Sequence, residues 1–582
     1  MNKPNQYRTH TCGELREEHI GQRARLSGWA ATLRDHGGVM FVDLRDHYGV
    51  TQVVLHDEKL LKGITRETVI RVEGTVVARS EETYNPKLAT GMVELRAETL
   101  KVLSSPALPL PFEIGSIDTR EEIRLGHRYL DLRGSHMQRN LKFRAELIKA
   151  VRAKMEDMGF LDVQTPILTA SSPEGARDYL VPSRKHKGKF YALPQAPQIF
   201  KQLLMLSGVD RYYQIAPCFR DEDARNDRHP GEFYQIDLEM SFASQDDVLT
   251  VAEILMHDVC VEFAPEGSVV TPTPFPRIPY KEAMLRYGSD KPDLRNPLII
   301  RDLTEFFLNV EFKPFKSKPV RGINAPGCAK QSKSFFELML KFATEIGMQG
   351  LGYISITEDG ELKGPIVKFL PEEKQKELLG IFDMQNTDTV FFICDRPQVC
   401  DKLAGQIRTE LGRRLGLIDD KRFEFCYITD FPMYELDDQK KPAFTHNPFS
   451  MPQGGLDALE NQDPLEILAW QYDMVLNGSE ISSGAVRNHV PEIMTKAFGL
   501  AGYSEEELKK RFGALYTAFH YGAPPHAGMG LGFERVLMWL LGEESIRDVL
   551  AFPLNGNAQD VMLGAPSEVT ELQLREAHVK VR

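Results

Sequence analysis

The sequence predicts a multidomain α+β protein, and three observations lead to this fold class. The chain has 582 residues, which is more than one hydrophobic core normally supports. Five short strand-like runs lie within residues 1–104, as in a small β-barrel. An alternating strand, paired with a second strand across a long polar loop, lies within 212–242 and predicts an antiparallel sheet with flanking helices.

Residues 1–104 are predicted to form the barrel. Its five strands are expected near 23–32, 39–46, 50–56, 68–79 and 92–103, with a short helix over 58–67. This order fits the Greek-key OB-fold, which often binds single-stranded nucleic acid. Phe41, beside Arg34 and ahead of Gln52, is suited to stacking on a base, although a phenylalanine in a barrel strand is more often core.

A proline-rich linker is predicted at 105–132, and an amphipathic helix follows over 139–158. Gly159 is expected to end this helix in a left-handed conformation, and residues 160–168 to continue as a strand. Further along, Gln198 and Lys201 are three residues apart, on one side of a helical turn.

The central feature of the sequence is the strand pair around the charged loop from Arg220 to Gly231. The second strand carries Gln235, Asp237 and Glu239 on one face and apolar residues on the other. One interpretation is the solvated face of an edge strand. The other is a binding site, in which Arg220 holds a phosphate and the acidic row takes an ammonium group. Complementary residues elsewhere in the chain favour the site.

The second half of the chain contains an interruption. Residues 296–422 change to a mixed pattern of helices and strands, which predicts an inserted α/β domain. The core is then expected to comprise 133–295 and 423–553, followed by a C-terminal extension at 554–582.

Three further features carry candidate chemistry. His446 lies in a proline-bounded loop that could close over a substrate, although a structural role is more common. Asp473 and Glu480 lie in a strand–turn–strand pattern and could share a Mg²⁺ ion, although such pairs also arise by chance. Residues 526–542 predict a tight glycine turn into a helix, with Arg535 in its first turn and suited to an anion.

Composition places only loose limits on function. The net charge of −12 weakly disfavours a polyanionic partner. Seven cysteines without a C-x-x-C pair suggest free thiols in a reducing compartment. No apolar run reaches membrane-spanning length and the N-terminus has no signal-like apolar segment, so a cytoplasmic location is expected.

Together these motifs resemble a known family. The segments GFLDVQTPIL, FRDED…EFYQIDLE and GMGLGFERVL follow the order of the three signatures of class II aminoacyl-tRNA synthetases. The second closely resembles the bacterial-type aspartyl enzymes of subclass b. The resemblance spans essentially the whole chain. It implies ATP-dependent ligation of L-aspartate to tRNA through an aspartyl-adenylate, with Mg²⁺, on a homodimeric antiparallel core flanked by helices.

The resemblance also implies roles for individual residues. For ATP and metal it implies Arg220 on the α-phosphate, Glu222 near the adenine amino group, Phe233 stacked on adenine, Arg535 at the γ-phosphate end, and Asp473 with Glu480 as metal ligands; Arg220, Arg535 and Glu480 are the catalytic set. For aspartate it implies Lys201 and Arg487 on the side-chain carboxylate, Glu174, Gln198 and Asp237 around the ammonium group, and His446 nearby. For the anticodon it implies Arg34, His36, Phe41, Gln52 and Glu94.

Three positions depart from the family pattern. Gly231 adds a residue to the loop of the strand pair, and Asn447 stands where many bacterial relatives have a second histidine after His446. His36 stands where strict aspartyl enzymes often carry leucine. This last feature resembles the relaxed subclass, so the expected partners are tRNA(Asp) and, as a hypothesis, tRNA(Asn).

Alternatives remain open. An asparaginyl or lysyl enzyme of the same subclass is disfavoured by the large insertion and by the Lys201/Arg487 pair. A catalytically inactive RNA-binding relative is disfavoured because Arg220, Glu480 and Arg535 are all present. A tRNA-independent asparagine synthetase on this core is disfavoured by the N-terminal barrel.

Overall fold

The computed structural model describes residues 4–37, 39–57, 63–171 and 176–581. They form two compact units, Met1–Leu141 with Asp560–Leu563, and Lys142–Gln559 with Gly564–Arg582. The domain limits given above stay predictions.

The first unit contains the predicted five-stranded barrel, which is confirmed. Its strands are β1 (Arg23–His36), β2 (Val39–Arg45), β3 (Val50–Leu55), β4 (Val69–Ala78) and β5 (Val93–Ser104). They close in the order β1-β2-β3-β5-β4 around a core of alternating apolar residues. The helix predicted over 58–67 is not borne out at 63–67, which form turns, and 58–62 lie outside the described residues. Two short helices follow, α1 (Glu121–Gly126) and α2 (Arg128–Asp131).

The long amphipathic helix of the sequence is present, and Gly159 follows it with a φ of 81°, as predicted. The predicted 160–168 strand is shorter than expected: Leu161 and Asp162 pair with Tyr212 and Tyr213, the Val163 N–H donates to Tyr213 O at 3.1 Å, and the strand ends before Pro166, which has no N–H to donate. The elements of this region are α3 (Ser135–Asp157), β6 (Leu161–Asp162), β7 (Leu180–Pro182), β8 (Phe190–Ala192), α4 (Gln198–Leu206), β9 (Arg211–Arg220), β10 (Gly231–Ser241), α5 (Gln245–Phe263), β11 (Val269–Val270), β12 (Arg277–Pro279) and α6 (Tyr280–Tyr287).

The interrupting segment has a five-stranded sheet of its own. Its elements are β13 (Ile300–Asp302), α7 (Thr304–Phe307), β14 (Val320–Ala325), α8 (Lys333–Glu345), β15 (Gly352–Ile356), β16 (Leu362–Lys363), α9 (Glu372–Phe382), β17 (Thr389–Cys394) and α10 (Pro397–Arg414). The order is β13-β14-β17-β15-β16, and every described pairing is antiparallel, so this segment is α+β and not the predicted α/β. Helices α8 and α10 pack on one face, and α7 and α9 on the other.

The remaining elements return to the main sheet. They are β18 (Arg422–Phe423), β19 (Phe425–Pro432), β20 (Tyr434–Leu436), β21 (Pro442–Phe444), α11 (Gly455–Asn461), β22 (Leu468–Leu476), β23 (Ser479–Val486), α12 (Pro491–Leu500), α13 (Glu505–Phe519), β24 (His526–Gly532), α14 (Phe533–Leu541) and α15 (Glu571–Glu576). The glycines of 526–532, predicted to form a tight turn, lie in strand β24.

The main sheet has eight strands in the order β12-β19-β22-β23-β24-β10-β9-β6. Its six central strands are antiparallel, as predicted, whereas β12 and β6 join the edges in parallel, so the sheet is mixed. Helices α3, α5 and α14 cover one face with the largest apolar core. Strand β10 lies between β9 and β24, so the edge-strand interpretation of its polar row is wrong.

Candidate active site

A cavity of about 380 Å³ lies over the polar face of β10. Ten of the residues predicted from the sequence line it: Gln198, Lys201, Arg220, Glu222, Phe233, Asp237, His446, Glu480, Arg487 and Arg535. Asp473 is buried and does not line the cavity. Glu174 lies outside the described residues. The polar face of the sheet and one cavity therefore account for most of the predicted site.

Strand alternation explains how the acidic row reaches this cavity. Asp237 and Glu239 are two residues apart and point to the same face of β10, while the alternating residues Ile236, Leu238 and Met240 enter the apolar core. The neighbouring strand β24 makes room for this row. A Cβ atom at Gly528 would lie 2.1 Å from Glu239 Oε2, so glycine is required beside the carboxylate.

The floor of the cavity is a buried group of four charges. Lys201 Nζ lies 2.7 Å from Asp237 Oδ1 and 3.3 Å from Glu239 Oε2. Arg487 donates from Nε and Nη2 to the two oxygens of Glu239, at 2.7 and 2.9 Å. The two cations predicted to face a substrate carboxylate are therefore already paired with protein carboxylates. The sequence interpretation gave Glu239 no role, although its alternation with Asp237 was visible.

Burial and pairing act in opposite directions on these groups. Burial alone would raise the pKa of Glu239, but Arg487 and Lys201 hold it below its ordinary value. Burial would lower the pKa of Arg487, but Glu239 raises it. For Asp237, burial outweighs the attraction of Lys201, and its pKa is raised. Glu239 and Arg487 thus form a stable ion pair that fixes the position of the arginine fork.

Besides His229 Nδ1, three buried polar atoms of the cavity wall have no hydrogen-bond partner among the described residues. They are Asp237 Oδ2, Arg487 Nη1 and Gln198 Nε2. An unpaired buried polar group costs roughly 1–3 kcal/mol, more when charged, so such atoms mark places that a ligand satisfies. Among them, the Asp237 carboxylate oxygen can accept a hydrogen bond from a ligand ammonium group. The Arg487 guanidinium can donate one to a ligand carboxylate.

The other half of the cavity carries groups suited to a nucleotide triphosphate. The Arg220 guanidinium lies 5.0 Å from the centre of the Phe233 ring. Glu222 accepts a hydrogen bond from Arg228 at 2.7 Å, so in this structure it is paired within its own loop. Arg535, in the first turn of α14, donates to the Glu480 backbone oxygen at 2.6 Å. Two arginines and an aromatic face therefore line one region.

Asp473 and Glu480 fit a divalent cation. The Asp473 carboxylate is buried, its Oδ1 has no partner among the described residues, and burial followed by the Glu480 charge raises its pKa well above the usual range. A bound cation would neutralise the repulsion between two carboxylates that lie close together. Within the described residues, no cluster of three or more metal-ligating side chains accompanies them.

His446 and Asn447 differ in role. The His446 ring stands at right angles to that of Phe431, with centroids 5.3 Å apart, and burial lowers its pKa, so the imidazole is neutral near pH 7. The Asn447 side-chain oxygen accepts the Phe449 backbone N–H at 2.9 Å. Asn447 thus shapes the loop that presents the histidine.

The sequence interpretation also assigned no role to Gln235 and His526. Gln235 belongs to the same alternating row as Asp237 and lines the cavity, so the alternation itself was a usable signal. His526 is fully buried and does not line the cavity. Its Nδ1–H donates to Pro524 O at 2.8 Å, its Nε2 lies 3.2 Å from Gln202 Oε1, and burial lowers its pKa to about 4. No local pattern distinguished it from a core histidine.

The barrel brings its five predicted residues together. Arg34 donates to Asp43 at 2.8 Å and to Gln52 at 3.2 Å, and Gln52 donates to Glu94 at 2.8 Å. The exposed His36 ring meets the half-buried Phe41 edge to face, with centroids 5.6 Å apart. Four strands thus contribute to one polar and aromatic surface.

Two general features bear on environment. All seven cysteines are free of disulfides, and six of them are buried. Among the described helices, none combines the length and apolar character needed to cross a membrane.

Comparisons with known proteins agree with this geometry. The family model described as tRNA synthetases class II (D, K and N) matches residues 120–556, and that described as OB-fold nucleic acid binding domain matches 24–103. The fold and the cavity therefore define a class II aminoacyl-tRNA synthetase. A relative from Streptomyces coelicolor named aspartate–tRNA ligase is 53% identical over 99% of both chains. The chain belongs to the aspartate–tRNA ligase family.

Further relatives carry a broader name. One from Zymomonas mobilis, named aspartate–tRNA(Asp/Asn) ligase, is 53% identical over 99% of this chain and 98% of its own. Among solved structures, an asparaginyl-tRNA synthetase from Pyrococcus horikoshii, complexed with asparaginyl-adenylate, matches with a TM-score of 0.57 and 20% identity, over 94% of this chain and 97% of that one. At that identity the match supports the fold alone.

Proposed function

We propose that this protein activates L-aspartate with ATP and then transfers the aspartyl group to tRNA. The observation that carries this proposal is the set of unpartnered buried atoms in one cavity, Asp237 Oδ2, Arg487 Nη1 and Gln198 Nε2. Aspartate supplies an ammonium group and a side-chain carboxylate to satisfy them. The family membership agrees with this assignment.

Charge explains the choice of amino acid. The Arg487 fork is fixed by Glu239 and keeps its Nη1 for the substrate, where a carboxylate oxygen adds an ion-pair attraction that a neutral amide oxygen lacks. Asparagine therefore forms the weaker bond. Lysine would bring an ammonium group next to Lys201 and Arg487 and is repelled.

The chemistry needs no side-chain nucleophile. The α-carboxylate oxygen of aspartate bonds to the α-phosphorus while the bond to pyrophosphate breaks, and the terminal ribose hydroxyl of tRNA then attacks the acyl carbon as AMP leaves. Arg220 and Arg535 neutralise the charge of the phosphates. They also hold the triphosphate so that the attacking oxygen and the leaving pyrophosphate are in line. A Mg²⁺ ion held by Asp473 and Glu480 would supply further charge neutralisation.

The barrel is proposed to read the anticodon. The connected surface formed by four side chains is suited to stacking and base-edge hydrogen bonds, with His36 at its end: Arg34, Phe41, Gln52 and Glu94.

Relatives named for tRNA(Asp) alone and for tRNA(Asp/Asn) are equally similar to this chain, at 53% identity for each of the two above. Overall identity therefore does not decide which tRNAs are charged. On the His36 feature, we include tRNA(Asn) beside tRNA(Asp); aspartylation of purified tRNA(Asn) tests it, and no product above background would refute it.

We also infer a homodimer. Large apolar side chains are exposed along the segment after α3: Leu161, Ile167, Leu168, Leu180 and Phe190. Such a grouping is typical of a surface covered by a partner. The free cysteines agree with a reducing cytoplasm, which we propose as the location.

The test is pyrophosphate exchange into ATP with aspartate, asparagine and lysine offered separately, without tRNA. Exchange with aspartate alone is the expected result. Exchange driven by asparagine or lysine would overturn the assignment of Arg487, and folded protein that binds tRNA without any exchange would support an inactive RNA-binding relative instead.

A further inference from the structure

Lys291 has no role in the account above. It lies in the segment 288–293, which follows α6 after Gly288 turns the chain with a φ of 67°. The segment is packed against the turn between β22 and β23. Asp293 lies close to Gly478 in this turn: a Cβ atom added to Gly478 would be 3.1 Å from the Cβ atom of Asp293. Lys291 is therefore presented at a fixed place beside the hairpin that carries Asp473 and Glu480.

The lysine ammonium joins two carboxylates. Its Nζ lies 2.9 Å from Asp290 Oδ2 and 3.3 Å from Glu480 Oε2, and its side chain is 36% exposed. Arg535 Nη1 donates to the backbone oxygen of Glu480 at 2.6 Å. Glu480 thus contacts one cation of the protein through its carboxylate and another through its backbone oxygen.

The local charge balance requires such a cation. Three carboxylates, Asp290, Asp473 and Glu480, act on the one ammonium group. A lysine side chain is ordinarily charged near pH 7, so its ammonium group offsets part of this negative charge.

We propose that Lys291 is a positioning residue that serves as a tethered counter-ion for Glu480 and competes with a divalent cation for this carboxylate. The inference rests on the proposed metal-binding role of Asp473 and Glu480. A cation within 3.3 Å of a ligand oxygen lowers the affinity of that site for a second cation. ATP would supply further oxygen ligands for a cation at Asp473 and Glu480, and the cation would then outcompete the lysine for Glu480. The lysine then stays attached to Asp290.

The experiment measures binding of Mn²⁺ alone, without ATP, by the loss of the free-ion electron paramagnetic resonance signal. Four proteins are compared: the wild type, Lys291→Met, Lys291→Arg and Lys281→Met. Lys281 is exposed on the neighbouring helix, so its variant matches the change in net charge. We expect Lys291→Met to bind Mn²⁺ about tenfold more tightly, and the other two variants to bind like the wild type. Unchanged or weaker binding by Lys291→Met would overturn the proposal.

Failure of this inference can be separated from failure of the proposed function. Asp473→Asn removes a proposed ligand, and we expect it to abolish the gain when combined with Lys291→Met. If wild-type exchange depends on Mg²⁺ while Lys291→Met has unchanged Mn²⁺ affinity, only the lysine proposal fails. If Asp473→Asn leaves Mn²⁺ binding by Lys291→Met intact, the tightening arises elsewhere and the lysine proposal fails together with the metal site. Circular dichroism establishes that each variant is folded.

Discussion

The buried charges under the cavity make Glu239 the residue on which the site depends. Glu239→Gln keeps the side-chain volume but leaves Arg487 and Lys201 with Asp237 as their remaining carboxylate within reach. Breaking a buried ion pair from one side costs about 3–5 kcal/mol. We expect a loss of this size in the free energy of unfolding, measured by urea denaturation.

The matched control is Asp258→Asn, which removes an ion pair on the surface. Lys154 Nζ lies 3.3 Å from Asp258, whose side chain is 45% exposed. Solvent screening limits such pairs to about 1 kcal/mol or less. Equal losses in the two variants would contradict the view that burial of Glu239 makes its ion pair structurally essential.

Buried histidines give the catalytic unit a defined response to acid. Burial lowers the pKa of both His229 and His526 to about 4, below the ordinary 6.5. Between these values the unfolded chain binds protons that the folded chain does not, so stability falls as the pH falls from about 6.5 towards 4. Each histidine contributes a slope of about 1.4 kcal/mol per pH unit within that window.

We expect His229→Gln to reduce the slope of unfolding free energy against pH by the contribution of one proton, about 1.4 kcal/mol per pH unit. A glutamine oxygen can still accept the Leu554 backbone N–H that His229 Nε2 accepts at 2.9 Å, so the loop is retained. Unfolding measured by calorimetry at pH 7, 6 and 5 gives the slope. An identical pH dependence in the variant and the wild type would show that His229 is not among the groups responsible.

At the scale of elements, the glycines of β24 determine whether the sheet can hold the acidic row. In Gly528→Ala the new Cβ would meet Glu239 Oε2 at 2.1 Å and the Leu238 backbone oxygen at 2.2 Å. The backbone cannot move aside, because β24 is paired on both sides. Overpacking of this kind costs about 1–3 kcal/mol, occasionally more. We expect a lower Tm and loss of pyrophosphate exchange.

Gly499→Ala is the control for this strand. Gly499 is exposed in α12, and a Cβ atom there would meet nothing within 4 Å. Alanine is the better helix former by nearly 1 kcal/mol, so an unchanged or slightly higher Tm is expected. A Gly528→Ala protein as stable and active as Gly499→Ala would show that the contact with Glu239 relaxes freely.

How far the sequence predicted these elements depended on the range of the signal. Alternation identified β10 and its polar face, and helical spacing placed Gln198 and Lys201 on one turn of α4, because both signals are local. The edge-strand interpretation of β10 was wrong because strand order depends on pairing with β24, almost 300 residues further along. The glycines of β24 were taken for a turn because their function, close approach to Glu239, is a tertiary contact.

The same distinction applies to the site. The resemblance to class II synthetases named ten residues that the structure places in one cavity. It did not reveal that Glu239 neutralises Arg487, or that Lys291 lies against Glu480, since neither contact follows from spacing in the chain. Pairing between side chains from distant segments is decided by packing, which one sequence does not display.

At the scale of the whole molecule, the two units divide the proposed work. Adenylate formation uses residues of the second unit, whereas the proposed anticodon surface lies in the first. Phe41→Ala removes a half-buried ring that the proposal assigns to base stacking, worth about 1–3 kcal/mol per base. We therefore expect kcat/KM for tRNA aspartylation to fall by about 5- to 150-fold, with aspartate-dependent pyrophosphate exchange unchanged.

Tyr7→Ala provides the comparison within the same unit. Tyr7 is an aromatic residue with 48% of its surface exposed and lies outside the Arg34–Gln52–Glu94 surface, so both activities should be retained. The two assays separate the possible outcomes because exchange requires no tRNA. A Phe41→Ala protein that loses exchange as well has lost its overall stability or its catalytic unit, and one that aspartylates tRNA normally would remove Phe41 from the anticodon surface. Loss confined to the tRNA-dependent step is the result that the division between the units requires.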